Sequence, residues 1–161
     1  NIPLDEYPRR CVNQIEEWKS RREQLVNNQN LTHERTHEYA SYIMEAMETD
    51  HPFKIGGNVL NDSLITNLPD EACVEVPCYI DAGGVHPTPV GKLPPQLAAL
   101  NRTNINTQLL TIEAAMTGRK EHIYHAALLD PHTSAELSMD DIVALCDDLI
   151  EAHGDWLPPF A

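Results

Sequence analysis

The order of periodicities along the chain predicts an α+β fold with a small, mostly antiparallel sheet packed with several helices. Three observations carry this. Apolar residues recur at steps of three and four in the first fifty positions, alternate at every second position through the middle, and return to helical spacing behind a Pro-Pro pair. At 161 residues the chain is read as a single domain over 1–161, long enough for a sizeable core.

The first helix is predicted over 8–26, with Cys11, Ile15, Trp18, Arg22 and Leu25 in line and charged residues on its other faces. Its short basic pairs, Arg9-Arg10 and Arg21-Arg22, read as one side of an ion-paired helix. Asn27-Asn28-Gln29-Asn30 breaks it. A second helix is predicted from Thr32 to Glu48, with Tyr39, Tyr42, Ile43, Ala46 and Met47 on one face, ended by His51-Pro52. Phe53, Ile55 and Val59 then share one face of a strand, and Val74, Val76, Cys78 and Ile80 share a face of the next. Asp81-Ala82-Gly83-Gly84 signals a turn into a short strand over Val85 to Val90, which Pro87 and Pro89 confine to a sheet edge.

Pro94 and Pro95 open a long helix that closes at Thr117-Gly118, with a predicted core line of Leu97, Ile105, Leu109, Ile112 and Met116. Beside that line runs a row of amides, Asn101, Asn104 and Gln108. Arg119 to Leu128 reads as another helix, stopped by Asp130-Pro131. Ser138 caps the last helix, with Asp141 in the capping-box position, a buried stripe of Ile142, Leu145, Cys146 and Leu149, and Gly154 as its end.

Composition narrows the function. Eleven Lys and Arg against 25 Asp and Glu give a formal net charge of −14, which argues against nucleic acid or an anionic membrane surface as the main partner. No apolar run approaches the roughly 20 residues of a membrane span, and no signal segment opens the chain. The chain begins at Asn1 without an initiator Met, which reads as a processed or excised piece. Sequons at Asn30, Asn61 and Asn101 matter only for a secreted protein. The four cysteines, Cys11, Cys73, Cys78 and Cys146, form no C-x-x-C pair. Cys73 and Cys78 stand five apart on a strand and so on opposite faces, and the default reading is reduced, mostly buried thiols in a cytosol.

His33-Glu34-Arg35-Thr36-His37 matches H-E-x-x-H, which on a helix lets two imidazoles share a zinc with a glutamate as general base. The continuation that would supply a third ligand is absent, because Glu38-Tyr39-Ala40 follow His37. The zinc-protease reading is therefore set aside. His122 and His125, three apart on a helix, have no cysteine or carboxylate of suitable spacing to complete a metal site.

The segment from Gly57 to Pro77 reads as strand, polar crossing and strand, with Asn58, Asn61 and Asn67 concentrated in it. These amides serve either as turn caps or as hydrogen-bonding groups for a polar ligand. Asn58-x-x-Asn61, Ile65-x-Asn67-Leu68-Pro69 and Val74-Glu75-Val76-Pro77 together resemble the C-terminal region of glycoside hydrolase family 4, and its α-galactosidase branch in particular. Ile2-Pro3-Leu4-Asp5, His37-Glu38-Tyr39-Ala40, the segment from Leu93 to Arg102, Asp130-Pro131 and Ala152-His153-Gly154-Asp155 extend the resemblance over nearly the whole chain.

The resemblance implies a domain like the C-terminal domain of lactate and malate dehydrogenases, completing a site with an N-terminal NAD-binding Rossmann domain. It implies hydrolysis of a galactoside by transient oxidation of the sugar at C3, proton removal from C2 by a tyrosine, elimination and water addition. NAD carries the hydride, and a divalent metal, usually manganese, polarises the C3 oxygen. It also implies a homo-oligomer. The glycine loop for NAD and the metal-binding cysteine motif are absent here, and the tyrosine base falls before residue 1; Tyr7 is no substitute for it. The chain is therefore expected to be a C-terminal fragment with no catalytic, cofactor or metal residues of its own, inactive by itself. Its expected contribution is substrate binding through Arg35 and His37, beside Thr36 at the start of the second helix, and through Asn58. The alternative is a non-catalytic oligomerisation or binding module of the same fold.

Overall fold

A computed structural model describes residues 2–28, 30 and 32–160. Gln29 of the helix-breaking run and Leu31 of the first sequon lie outside the described residues. The chain forms two compact units, Asn1–Glu38 and Tyr39–Ala161. Among the described residues no helix is long and apolar enough to cross a membrane.

The first unit is built on α1, Glu6–Asn27. Its first turn is tied by ion pairs, Glu6 accepting from Arg9 at 2.6 Å and from Arg10 at 2.9 Å. Arg9 is the main cause holding the Glu6 carboxyl below its ordinary value. The predicted apolar line exists on this helix, but no residue of α1 is buried, and Ile15, Trp18 and Leu25 are exposed.

The second unit opens with α2, Ala40–Thr49, which starts eight residues later than Thr32. Residues 32–39 are irregular. Thr and His are weak helix formers, and the Glu38 N–H donates to Thr36 Oγ1 at 3.3 Å, a local bond that competes with helical pairing. Asp50 ends α2 in the left-handed region, its N–H returning to the Ala46 carbonyl.

Strands β1 (Phe53–Leu60), β2 (Cys73–Asp81) and β3 (Gly84–Pro87) form one antiparallel sheet in the order β1-β2-β3. Phe53 pairs with Ile80 and Leu60 with Cys73. The two-sided alternation holds as predicted: Val74, Val76, Cys78 and Ile80 are buried while Cys73, Glu75, Pro77 and Tyr79 face out. The proline-bearing β3 is an edge strand, ending at Pro87. One end of the covered face lies under α2, where Tyr42 stacks on Phe53 with ring centroids 5.1 Å apart. The other end packs with Ile65, Leu68 and Ala72 of the β1–β2 connection and with the helix that follows the sheet.

That helix, α3, runs Pro95–Thr117 and stops at Gly118, whose φ of 69° suits glycine. Its buried residues are Ala98 and Ile105, with Leu109 packed beside them. The predicted core line is corrected accordingly, because Leu97, Ile112 and Met116 are exposed. The sheet engages only one narrow strip of α3, while α4 (Glu121–Leu129) lies along another side of it. Asp130 ends α4 and then nucleates α5, Thr133–Glu136, a turn missed in the sequence because Asp-Pro reads as a stop. Its carboxylate accepts the Thr133 N–H and hydroxyl, both at 2.8 Å, and the Thr133 N–H is the main cause lowering its pKa. Helix α6, Met139–His153, is capped by Ser138 as predicted, the Asp141 N–H donating to its hydroxyl. Ile142 and Cys146 are buried on α6, but Leu145 and Leu149 are exposed.

Asn61 holds the β1–β2 connection. It is fully buried, and its Nδ2 donates to the carbonyls of Ile65, Leu68 and Pro69 at 3.0–3.1 Å while its Oδ1 accepts the Ile65 N–H at 2.8 Å. Asn67 makes a reciprocal pair with the backbone of Leu93, both bonds at 2.9 Å. The connection is thus tied to itself and to the segment entering α3.

Asn61→Ala is expected to cost about 3 kcal/mol in urea unfolding, because it orphans a buried N–H and several carbonyls; a loss below about 1 kcal/mol would show that the loop is held by its apolar contacts instead. A second expectation concerns the β2–β3 turn. His86 Nε2 lies 2.9 Å from Asp81 Oδ1, which also accepts the Gly83 N–H at 2.7 Å. The His86 bond is the main cause holding the Asp81 carboxyl below its ordinary range, followed by Gly83. A depressed folded value means that the contribution to stability is complete above the unfolded value and is lost as pH falls through the folded one. In His86→Ala, the Asp81 midpoint followed by carboxyl NMR is expected to rise toward the ordinary carboxylate range; an unmoved midpoint would rule the interaction out.

Candidate functional site

The three sequence-predicted binding residues fall in different settings. Arg35 and His37 lie in the irregular segment of the first unit, not on a helix, and both are exposed. The expectation that they begin the second helix is therefore corrected: α2 begins three residues beyond His37. Asn58 belongs to the second unit, on the outward face of β1.

Off-helix, the H-E-x-x-H residues lose the one-turn spacing that would aim both imidazoles at one ion. Among the described residues no three His, Cys, Asp or Glu side chains are grouped to hold a metal. His122 and His125 on α4 meet edge to face, ring centroids 6.1 Å apart. The side chains of the described residues therefore do not fit a manganese site.

The structure separates the three asparagines by role. Asn61 and Asn67 are turn locks with their amides consumed by backbone. Among the described residues the Asn58 side chain has no hydrogen-bond partner, and it stands on the open face of the sheet directly across from Glu75. Glu75, absent from the sequence-predicted set, leans over Gly56: a Cβ there would lie 2.8 Å from its Oε1. The strand pairing brings the two together, and alternation about Val74 and Val76 was the signal that put Glu75 on the open face.

Beside the start of β2 lies a cleft of about 370 Å³ between that strand and α3. Its apolar lining comes mostly from residues that also form the core, among them Leu68 and Ile105, with the exposed Val90 beside them. Cys73 and Glu75 line it from β2, and the amide row of Asn101, Asn104 and Gln108 lines it from α3.

Residues 1–133 match the family 4 glycosyl hydrolase C-terminal domain. An alpha-galactosidase from Bacillus subtilis (strain 168) is 67% identical over 159 residues, covering 99% of this chain and 37% of that protein. The crystal structure of a 6-phospho-alpha-glucosidase from gut microorganisms, in complex with NAD and glucose-6-phosphate, matches with a TM-score of 0.65 at 28% identity, over 74% of this chain and 26% of that one. A 6-phospho-beta glucosidase from Thermotoga maritima, with manganese, NAD+ and glucose-6-phosphate, shares the fold at a TM-score of 0.65 and 24% identity, over 92% of this chain and 36% of that one. The chain spans little more than a third of the length of the galactosidase. With its α+β architecture and the match over most of its length, the chain belongs to the family 4 glycosyl hydrolases, as their C-terminal domain.

Proposed function

We infer that this chain is the C-terminal, substrate-side domain of an NAD- and divalent-metal-dependent α-galactosidase. The observation that carries the reading is the 67% identity to the Bacillus subtilis alpha-galactosidase across 99% of the chain. Hydride transfer by NAD and polarisation of the sugar oxygen by manganese are chemistry for a Rossmann domain N-terminal to these residues. This chain's own part is to bind and orient the galactoside. Arg35 presents a planar fork of donors suited to paired sugar oxygens, His37 an imidazole able to donate or accept, and Asn58 an amide that does both. By itself the 161-residue chain is inactive in this reading, and the whole protein works in the cytoplasm.

The test uses the full-length protein that carries this chain, with NAD and manganese supplied. Arg35→Ala, His37→Ala and Asn58→Ala are each expected to raise KM for an aryl α-galactoside by about tenfold with a smaller change in kcat, as for lost ground-state binding. Unchanged KM in all three variants would overturn the site assignment. Hydrolysis of 6-phosphoglucosides but not of α-galactosides would overturn the substrate. Self-association is also expected of the protein, supported by the exposed Trp18, Leu25 and Val26 on α1. Light scattering should find an oligomer, and a monodisperse monomer would contradict it.

A further inference from the structure

We propose that the cleft between α3 and the start of β2, whose lining includes none of Arg35, His37 and Asn58, is a binding site for an uncharged saccharide. Three features of the cleft define the ligand. The first is its hydrogen-bonding character. Asn101 and Asn104 turn their Nδ2 groups back to the carbonyls of Leu97 and Leu100, at 3.0 and 3.5 Å, and among the described residues neither Oδ1 accepts a hydrogen bond. Among the described residues the Gln108 amide has no hydrogen-bond partner, and the Glu75 carboxylate adds further acceptors to the lining. An acceptor-rich row at helical spacing calls for a ligand carrying several hydroxyl donors a few ångströms apart.

The second feature is the apolar lining shared with the core, which suits the C–H face of a sugar ring lying against polar walls. The volume of about 370 Å³ admits a small saccharide. The third is charge. Among the described residues the lining contains no Lys, Arg or His and one carboxylate, Glu75. A phosphorylated sugar would meet repulsion with no cation to offset it, so the cleft selects for neutral sugars.

Cys73 supplies a local reporter, because it is exposed and lines the cleft, whereas Cys78 and Cys146 are buried. In the full-length protein, alkylation of Cys73 by iodoacetamide is followed by mass spectrometry of the peptide that contains it. Millimolar methyl α-D-galactopyranoside is expected to slow the reaction, and galactose 6-phosphate is not. Asn104→Leu and Gln108→Leu, both at exposed positions, should each weaken the protection by about tenfold in concentration while leaving the thermal melt in place. Glu75→Gln should let galactose 6-phosphate protect as well. No protection, equal protection by the phosphorylated sugar in the unaltered protein, or protection unchanged in both amide variants would each overturn the proposal. Protection that persists in Arg35→Ala supports it and separates this site from the substrate site inferred above.

Discussion

The second unit depends on one buried amide. Asn61 is a fully buried polar residue with no charge, and it turns the β1–β2 connection into a compact plug rather than an open loop. Ile65 and Leu68, two of the residues whose carbonyls Asn61 holds, are themselves core side chains against Val74, Val76 and Cys78. The hydrogen bonds and the apolar burial thus depend on each other: without the amide the carbonyls would have to reach water, and the apolar residues between them would be pulled out of the core. Asn67 extends the same logic to Leu93, fixing where the chain enters α3. The position of the amide row on α3 follows from that anchoring.

A consequence is a sheet with two distinct faces. One is closed by α2, the plug and α3. The other keeps Asn58, Glu75 and Tyr79 outward. Close approach also shapes the covered side, where a Cβ on Gly57 would meet Cys78 Sγ at 2.7 Å. Glycine at 56 and 57 therefore serves neighbours on opposite faces of the same strand: Glu75 on one side and Cys78 on the other. Polar groups available for recognition sit on the open face and along the cleft at its end, while the amides that look alike in the sequence but lie inside the plug are spent on backbone.

Strand residues were the most legible part of the chain, because alternation about a half-buried sheet leaves little freedom: a shift of one position would turn Val74, Val76, Cys78 and Ile80 into solvent. Helix ends with chemical markers were legible for a similar reason, as at Gly118 and Ser138, where backbone geometry demands a particular residue. The buried strip of α3 was misread because its deciding partners are distant in sequence. Leu97, Ile112 and Met116 match a helical stripe as well as Ile105 does, but only the residues facing the plug are covered. The segment from Thr32 to Glu38 has the polar composition of a helix N-terminus, yet it is irregular, and the Glu38 N–H bonds locally to the Thr36 hydroxyl.

From sequence alone came the α+β class, the strand faces, the capped helix ends and the resemblance to family 4, because each is encoded in neighbours within a few residues or in a contiguous motif. Only the tertiary structure decided which asparagines are structural and which are exposed, that Glu75 stands beside Asn58, and that the amides of α3 border a cleft. Those facts depend on strand register and on how a loop folds back on itself, where groups 7 to 26 residues apart meet. Identical amide side chains give no local sign of which backbone will reach them.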